Sequence, residues 1–563
     1  MDIFVFLIKH FNFIKMIRFL FLAVLSFSSA KSFCQHTQLN FSDEFKIAEN
    51  DDYKDQTVAN SVFLNNLFYT ATNSGIGGNN KWLFTKLYDM KYAITIASFD
   101  KNMKKIRETQ LENGSKVFGP LQPRLLLINN KLCLAYFQSD DKASFNLYLS
   151  QVDENLKLKE PKKICNIQQE NVGIFKLESV IKGGIVFFTN TTDNSKTLVV
   201  CNSGPNSTST FVVDGELNII KKSVIHTNTA DFKISKALLT NDNLECLVLQ
   251  SERDTKLVCI NPEGKKTETK INLPGGARAQ QVHVSESADR KNIYVYSSTS
   301  PSEEDGDCCS GFFLATLNSS TLQLAKPLLY KFSPEFTEEI CKKGGGSKHK
   351  KDYLMYNFEA GLVELSNGEV AIVGSPQEES VNTSSKPASA LNNKTKLEST
   401  TTLNTGPILA FYPNKNGKTF EYAIVPRISS LSRSAESGSG IVKIVQSPMV
   451  SNSSAGFVAV ASGDDIIILY NDNEDNLAKD VNEKTVESHS TKNMVLAEAL
   501  IDKDKKLQYR KQLGQNIKGA YTYFLGNIIP VSSSALVFPV AKQGVGFNAR
   551  KIIYTNWCFL GMK

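Results

Sequence analysis

The chain has 563 residues, of which 41% are hydrophobic and 21% charged, and its formal net charge is +7. This composition is typical of a globular protein, and 10 cysteines are too few for a disulfide-rich scaffold. The charge is mild and lies partly in the N-terminal region, so it does not indicate nucleic-acid binding. A length that ordinarily indicates about three or four domains fits a single domain if the chain is built from repeats.

Residues 1–34 predict a secretory signal region. Residues 16–30 (MIRFLFLAVLSFSSA) contain a basic residue, a short apolar run and small side chains at the end, which is typical of a signal peptide. We expect translation to start at Met16 and cleavage to fall before Lys31 or Gln35. Because the apolar run is shorter than the ~20 residues that span a bilayer, we expect an exported protein that is not integral to the membrane. A signal-anchor helix is the alternative.

A strand, a tight polar turn and a lysine-rich strand recur along the chain. The turns lie at Asp100, Asp153, Asp214, Asn261, Asn318, Asn414 and Asp502. Asp and Asn suit such turns because their side chains bond to nearby backbone groups. When two insertions are discounted, the period is about 50 residues, which is typical of solenoids and propellers.

Two further strand-like runs lie between successive hairpins, for example PRLLLIN and KLCLAYF before the turn at Asp153. Four short strands per repeat with polar turns are typical of a propeller blade. We therefore predict an all-β fold in which residues 35–563 form a single β-propeller, with strands A to D of each blade running outward. Stacked β-sandwiches and a β-helix are the alternatives.

Strand-like segments that belong to none of the seven repeats lie at both ends of the repeat array. Residues 39–47 predict a lone N-terminal strand, and residues 524–559 predict three strands without a fourth. Together they predict an eighth four-stranded blade, closed by the N-terminal strand as its outermost member, since closure removes open sheet edges. Seven blades, with these strands packed elsewhere, is the alternative.

The insertions fall on one face of the predicted disc. The A–B and C–D turns are short and form what we call the plain face, whereas the B–C and D–A connections form the loop-rich face. The long connections are residues 74–90, 299–310, 333–352, 377–406, 428–454 and 471–493. Because loops on a rigid scaffold often carry binding sites, the loop-rich face is the predicted ligand-binding surface. Within it, residues 378–405 are rich in Ser, Thr, Asn and Lys, which predicts a disordered loop.

The candidate ligand-binding residues lie in these connections. They are Trp82, Asp305, Asp307, Lys342, Lys343, Lys348 and Lys350. The lysines belong to a basic segment, 342–351, which we expect to be a mobile loop. The alternative is that this segment binds an anionic glycan or a lipid headgroup. No catalytic residue is predicted.

Two acidic groups could hold calcium through oxygen ligands, although neither has EF-hand spacing. They are Glu303, Glu304, Asp305 and Asp307, and Asp472, Glu474 and Asp475. The 6 histidines are not paired at ligand spacing, so zinc is not expected. Calcium is thus a weak possibility, and no other cofactor is predicted.

One cysteine pair is predicted to lie across a hairpin. If the turn is centred on residues 252–253, Cys246 and Cys259 are directly opposed. Opposed Cα atoms lie ~4.5–5.5 Å apart, which permits packed thiols or a bridge. In an exported protein we favour a disulfide. Residues 308–309 are adjacent cysteines that could bridge elsewhere, for example to Cys341, and their connectivity is left open.

The hairpin repeat and the segments GPILAFYPNKNGKTFEYAIVPR and DDIIILYNDNEDN resemble exported, uncharacterised proteins of the Bacteroidota. The resemblance is closest over residues 353–520, and Gln35 after a cysteine is similar to signals in that group. It implies a β-propeller-like envelope protein in the periplasm or at the outer-membrane periphery, with an extracellular location as the alternative. The absence of an appended sorting domain after Lys563 favours the first two. The resembling motifs are strands and turns and imply no catalytic residues.

Two functional hypotheses follow. The first is a non-enzymatic binding or scaffold protein of the cell envelope, whose partner is an unknown envelope protein or a glycan. The second is a propeller enzyme acting on glycans or small alcohols. The sequence contains no S-x-D-x-G-x-T-W box of the sialidase type, and its only tryptophans are Trp82 and Trp557, whereas propeller quinone dehydrogenases use many.

Overall fold

The structure, a computed structural model, describes residues 38–561 with gaps. The wider gaps are 47–57, 77–90, 113–117, 169–185, 227–231, 302–307, 438–455, 488–493, 514–520, 524–528 and 544–551. Almost every described element is a β-strand. The helices within these ranges are α1 (Pro334–Gly344), α2 (Glu474–Leu477) and a 3-10 turn at Pro274–Gly276. None of the helices found in these ranges is long and apolar enough to cross a membrane.

Two short strands, β1 (Gln38–Phe41) and β2 (Phe45–Lys46), begin the described chain. Sheets 1 to 4 then follow, each with four antiparallel strands paired in chain order. Sheet 1 contains β3 (Val58–Leu64), β4 (Leu67–Ile76), β5 (Lys91–Phe99) and β6 (Lys105–Glu112). Sheet 2 contains β7 (Phe118–Ile128), β8 (Lys131–Ser139), β9 (Ser144–Gln151) and β10 (Lys162–Gln168). Sheet 3 contains β11 (Val186–Asn190), β12 (Lys196–Gly204), β13 (Ser207–Asp214) and β14 (Ile219–His226). Sheet 4 contains β15 (Lys233–Leu239), β16 (Glu245–Gln250), β17 (Thr255–Ile260) and β18 (Lys266–Lys270).

Sheets 5 to 7 repeat this order with additions. Sheet 5 divides its first strand into β19 (Arg278–Ala279) and β20 (His283–Glu286), followed by β21 (Asn292–Ser300), β22 (Gly311–Asn318) and β23 (Leu328–Lys331). After α1, β24 (His349–Lys350) pairs with β25 (Tyr353–Leu354). Sheet 6 contains β26 (Asn357–Glu364), β27 (Val370–Ser389), β28 (Asn392–Thr405), β29 (Ile408–Pro413), β30 (Phe420–Val425) and β31 (Ser429–Ser437). Sheet 7 contains β32 (Phe457–Ser462), β33 (Asp465–Asn473), β34 (Met494–Ile501) and β35 (Leu507–Gln512).

Sheet 8 brings together the two ends of the described chain. It contains β36 (Tyr521–Tyr523), β37 (Ile529–Ser532), β38 (Ala535–Gln543) and β39 (Ile552–Gly561). β1 and β2 both pair with β39, in a register that joins Gln38 to Gly561 and Phe45 to Thr555.

Consecutive sheets stack face to face in chain order, which makes the fold a single β-propeller. On β12, Val199 and Cys201 pack with sheet 2, while Leu198 and Val200 pack with sheet 4. Successive side chains of a strand point to opposite faces, so a strand buried on both faces is apolar throughout. Equivalent clusters lie between sheets 1 and 2, 4 and 5, 5 and 6, and 6 and 7. Sheets 1–5 and 7 are thus six four-stranded blades.

The first strand of each blade lies innermost. The first strands of neighbouring blades lie close together: β3 lies near β7, β11 near β15, and β26 near β32. The A strands therefore surround the centre of the disc and the lysine-rich D strands form its rim, as the hairpin pattern predicts.

All seven predicted hairpin turns are confirmed. At each, the N–H of the Asp or Asn donates to a carbonyl at the far end of the turn. In most, the side chain closes the turn as well: Asp153 Oδ1 accepts from Asn155 N at 2.9 Å and from Lys157 N at 2.8 Å. A residue near the end of each turn adopts the left-handed conformation, as Leu156 does at φ 63°. The turns fold this way because side-chain acceptors replace the missing ladder bonds.

Residues 378–405 differ from the prediction of disorder. β27 and β28 pair from Gln377 and Thr405 out to Ser389 and Asn392, and β28 also pairs with β31. The prediction rested on polar composition alone, but many of these residues are threonines, whose branched side chains favour strands. β28 has a partner strand on each side, so its backbone groups are bonded within the sheet.

Candidate functional site

The plain face is held together by bonds between neighbouring blades. The turns on this face are short, and their polar groups bond to the turns beside them. The bonds are Arg107 Nη1 to Glu154 O (2.6 Å), Asn129 N to Asn194 O (2.5 Å), Asp193 N to Asn241 Oδ1 (3.2 Å), Ala288 N to Glu364 Oε2 (2.8 Å) and Asn367 N to Asp464 Oδ1 (2.9 Å). These groups serve the scaffold, which leaves the opposite face as the candidate site.

Helix α1 is the longest helix in the described part of the loop-rich face. It begins after Ser333, whose Oγ accepts from Phe336 N at 3.2 Å, with Pro334 as its first residue. Phe336 and Ile340 lie one turn apart and are buried against the aromatic cluster of sheets 5 and 6, which includes Phe411. The helix is therefore fixed to the blades by its apolar side, and its charged side faces outward.

The charges of α1 are paired within the helix. Lys342 Nζ lies 2.6 Å from Glu338 Oε1, and Lys343 Nζ lies 3.3 Å from Glu339 Oε1. Glu339 also accepts a hydrogen bond of 2.5 Å from the Tyr422 hydroxyl. Since each lysine has an acidic partner one turn earlier, this part of the surface is not a concentrated basic patch.

The basic segment 342–351 therefore differs from the mobile loop that its composition predicts. Lys342 and Lys343 end a helix, and Lys350 lies on β24, opposite Tyr353. The helix was missed although its signals are present: Ser and Pro at the start, an acidic first turn, lysines in the last turn and a final glycine.

The other candidate ligand-binding residues, Trp82, Asp305, Asp307 and Lys348, lie outside the described residues. The same is true of Glu303 and Glu304, the remaining acids of the first calcium group. The structure therefore neither brings these side chains together nor separates them.

The second acidic group surrounds helix α2. Asp472 is fully buried, whereas Glu474 and Asp475 are exposed. Asp472 Oδ1 accepts from Asn473 N at 2.8 Å and from Asn476 Nδ2 at 2.7 Å. The three carboxylates thus do not converge, and no group of three or more His, Cys, Asp or Glu side chains in the described ranges could hold a metal ion.

Asn476 ties the connection after α2 to this buried carboxylate. Its amide donates to Val486 O at 2.9 Å and its oxygen accepts from Val486 N at 2.6 Å. Thr485, the residue before Val486, donates from Oγ1 to Lys343 O at 3.1 Å. The connection of sheet 7 is therefore bonded to α1, and the two insertions form one structure.

A buried arginine lies beside Asp472. Arg427, which follows β30, is 1% exposed and donates from Nη2 to Ser375 Oγ at 3.1 Å. Arg510 donates to Pro426 O at 3.3 Å and to Lys479 O at 3.0 Å. We call the group formed by Arg427, Asp472 and Arg510 the polar junction of sheets 6 and 7.

Burial dominates the electrostatics of this polar junction. It raises the pKa of Asp472 to about 6, against the opposing effects of Asn476, the Asn473 amide and the two arginines. It lowers the pKa of Arg427 to about 10, opposed by the nearby Asp472 carboxylate. A carboxylate titrating near pH 6 has the acidity of a general acid or base, but Asp472 is 0% exposed, so this arrangement fits a structural role.

The sequence offers little signal for the polar junction. Asp472 stands in an acidic stretch that resembles a solvated loop, and Arg427 is a single arginine after a proline. Only the packing of sheet 6 on sheet 7 brings the two side chains together.

The predicted hairpin register around Cys246 and Cys259 is confirmed. The two residues are directly opposed on β16 and β17, with their Sγ atoms 3.2 Å apart. Both are free thiols in the structure, as are Cys308, Cys309 and Cys341. The hairpin register is thus as predicted, whereas the predicted disulfide is absent, since both residues are free thiols.

Comparisons with known proteins give no family. No protein-family model matches the chain, and no curated protein matches it. Among solved structures, the WD40 domain of SCAP from fission yeast has 10% identity and a TM-score of 0.35, covering 87% of this chain and 98% of that one.

Two peptidase structures are similar at the same level. A structure from a study of two prolyl endopeptidases has 11% identity and a TM-score of 0.34, covering 87% of this chain and 55% of that one. The acylaminoacyl peptidase of Pyrococcus horikoshii has 9% identity and a TM-score of 0.31, covering 90% of this chain and 60% of that one. At these values the likenesses carry no argument about function; the stacking of the blades makes the chain an all-β protein with a single β-propeller.

Proposed function

We propose that this protein is a non-enzymatic binding or scaffold module of the cell envelope, which acts through its loop-rich face. One observation carries the proposal: the two faces are built differently. The plain face consists of short turns bonded to one another, whereas the other face carries α1, the β27–β28 hairpin and α2. Insertions cost little stability on either face, because loop closure rises by only ~0.6 kcal/mol per doubling of length. Their accumulation on one face favours a binding role there.

The fixed structure of these insertions supports the same proposal. The polar junction and the Thr485–Lys343 bond hold them in fixed positions. A preorganised surface binds with a smaller entropic cost than a set of mobile loops. The partner is an envelope protein or a glycan, and calcium is the only cofactor that we retain as a candidate.

The export of the protein is part of the proposal. Its support is the signal-like sequence in residues 16–30, together with the resemblance to exported Bacteroidota proteins. We place the protein in the periplasm or at the outer-membrane periphery. Fractionation with N-terminal sequencing tests this: the expected mature N-terminus is Lys31 or Gln35, and an intact Met1 in a membrane fraction would contradict it.

An eight-bladed ring, closed by the N-terminal strand, is also part of the proposal. Its support is the pairing of β1 with β39 and the strand order β1-β39-β38-β36 in sheet 8. In such a ring sheet 8 lies between sheets 7 and 1, which agrees with the approach of β36 to β34 and of β37 to β3. Closure of this kind protects the edges of the first and last sheets.

Capture of partners from a detergent-solubilised envelope extract tests the binding role. The α1 double variant Glu338→Ser/Lys342→Ser removes one acid and one lysine from the loop-rich face. The control Lys101→Ser/Glu154→Ser makes the same charge change on the plain face. We expect the α1 variant alone to lose partners at an unchanged melting temperature. Loss only in the control would overturn the assignment of the face, and turnover of glycans or small alcohols by the wild type would favour the enzyme alternative.

A further inference from the structure

The outermost strand of sheet 3, β14, exposes a group of large apolar side chains at the rim of the disc. Ile219 is 42% exposed, Ile220 48% and Val224 46%, whereas the other described outermost strands expose at most a single large apolar side chain, Ile106 on β6. Within the described part of sheet 3, β14 is bonded to β13 alone. Its outer edge therefore combines open backbone N–H and C=O groups with exposed apolar side chains, which makes it a template for another strand.

The exposed side chains lie in a row on one side of β14. Lys222 is directly opposite Phe211 of β13, which packs against sheet 2. Because successive side chains of a strand alternate, Ile220 and Val224 lie on the same side as Lys222. Ile225, on the other side, is buried against sheet 4, which agrees with this alternation. The row thus reads apolar, basic, apolar along the open edge.

The lysine in the middle of this row is available to a partner. Among the described residues, no carboxylate forms an ion pair with Lys222, whose Nζ lies over the Phe211 ring at 5.4 Å from its centroid. On β6, by contrast, Lys105 Nζ lies 2.9 Å from Glu108 Oε2 of the same strand. A carboxylate brought to β14 from outside would complete an ion pair that sheet 3 does not supply.

We propose that the outer edge of β14 binds an extended segment of a partner protein, which adds to sheet 3 as a fifth strand. The segment carries an acidic residue with an apolar residue two positions before it and another two positions after it. In this register its side chains lie beside Lys222, Ile220 and Val224. Hydrogen bonds between the backbones provide affinity, and the opposed apolar and opposite-charge pairs provide specificity.

The same features argue against two other occupants. Antiparallel pairing of β14 with β14 of a second copy, in the register that opposes Ile220 to Val224, places Lys222 opposite Lys222, and opposed like charges are destabilising. A membrane surface would contact the apolar and basic side chains but would leave the backbone groups of the edge without partners. An extended acidic and apolar segment satisfies both the side chains and the backbone.

Selection from a phage-displayed library of random peptides on the immobilised full-length protein tests the inference. We expect the enriched peptides to share an acidic residue with apolar residues two positions before and after it. A synthetic peptide of an enriched sequence should slow amide hydrogen exchange in β14, because its backbone bonds to the outer edge. Exchange in β6, the outermost strand of sheet 1, should be unchanged.

Variants of β14 separate the charge from the apolar surface. Lys222→Glu reverses the charge, so the enriched acidic residue should be replaced by lysine or arginine. The control Lys105→Glu makes the same reversal on β6 and should leave the selected pattern unchanged. Ile220→Thr/Val224→Thr keeps side chains that suit a strand but removes apolar surface, and should weaken binding of the synthetic peptide about tenfold.

Four results would overturn the inference. Selected peptides that lack the pattern, a pattern that Lys222→Glu leaves unchanged, or peptide binding without protection of β14 would each do so. So would binding to vesicles of anionic lipid, or dimerisation, that Ile220→Thr/Val224→Thr abolishes, since the edge would then serve a membrane or a second copy. The selection on the wild type decides the pattern even if a variant fails to fold. Glu338→Ser/Lys342→Ser should not affect the peptide, because this rim site does not depend on the loop-rich face.

Discussion

Replacing Asp472 by asparagine should stabilise the protein at neutral pH. The side chain is fully buried, and its Oδ1 accepts from Asn473 N and Asn476 Nδ2. Asparagine retains an oxygen for both bonds. The substitution therefore removes the buried charge and keeps the contacts that hold α2.

The magnitude follows from proton linkage. Burial raises the pKa of Asp472 from 3.8 to about 6. The folded state thus binds the proton more tightly than the unfolded state. Protonated Asp472 makes its full contribution to the free energy of unfolding below about pH 4. This contribution is lost as the pH rises through about 6. At ~1.4 kcal/mol per pH unit, ionisation costs the folded protein about 3 kcal/mol at pH 7.5.

The two arginines oppose this cost, since both favour the ionised carboxylate. Their attraction is already included in the value of about 6, so burial outweighs the attraction of the two arginines. The opposite expectation also has precedent: breaking a buried ion pair commonly destabilises a protein by ~3–5 kcal/mol. The two outcomes differ in sign.

The assay is urea denaturation of wild type and Asp472→Asn between pH 4.5 and 7.5. We expect the variant to gain up to about 3 kcal/mol at pH 7.5 and only about 1 kcal/mol at pH 4.5. Asp475→Asn neutralises an exposed carboxylate of the same helix and controls for net charge. A variant that is less stable than wild type, by the same amount at every pH, would refute the reasoning.

Three further predictions concern the scaffold. Gly311→Ala should lower the free energy of unfolding by about 1–3 kcal/mol, because an added Cβ would lie 2.1 Å from Tyr330 O. Gly361→Ala, whose added Cβ would have nothing within 4 Å, should cost less than 1 kcal/mol, and equal costs would contradict this reasoning. Asp153→Ala should lose about 1–2 kcal/mol with its two backbone bonds, while Glu154→Ala should not, and no difference between them would show that the side chain is dispensable for the turn. Phe41→Cys should form a disulfide with the opposed Cys558 under mild oxidation, seen by mapping, while Asn40→Cys, opposite Phe559, should not; the absence of the first bridge would argue against closure by the N-terminal strand.

The repeat architecture could be predicted because its signals are local. Asp153 and Asp214 bond to backbone groups within four residues, so the turn type is encoded in adjacent sequence. The register of Cys246 and Cys259 follows from the same hairpin geometry. Two-sided burial likewise makes the strands apolar enough to recognise.

The loop-rich face could be predicted only as a location. The β27–β28 hairpin is stabilised by β31, a strand that follows it in sequence, so its composition alone indicated disorder. The proximity of the Arg427 and Asp472 charges depends on how sheet 6 packs on sheet 7, which no local pattern encodes. Helix α1, in contrast, had sufficient sequence signals, which were outweighed by the lysine-rich composition of its last turn and the residues after it.

Lysine cross-linking in intact cells tests the central claim most directly, because both faces carry lysines. Lys342, Lys343 and Lys479 lie on the loop-rich face, and Lys101, Lys104, Lys157 and Lys503 lie on the plain face. A short amine-reactive cross-linker followed by mass spectrometry identifies which of them lie next to another protein. If the loop-rich face is the binding surface, cross-links to a partner should involve the first group. Cross-links confined to the second group would contradict the account.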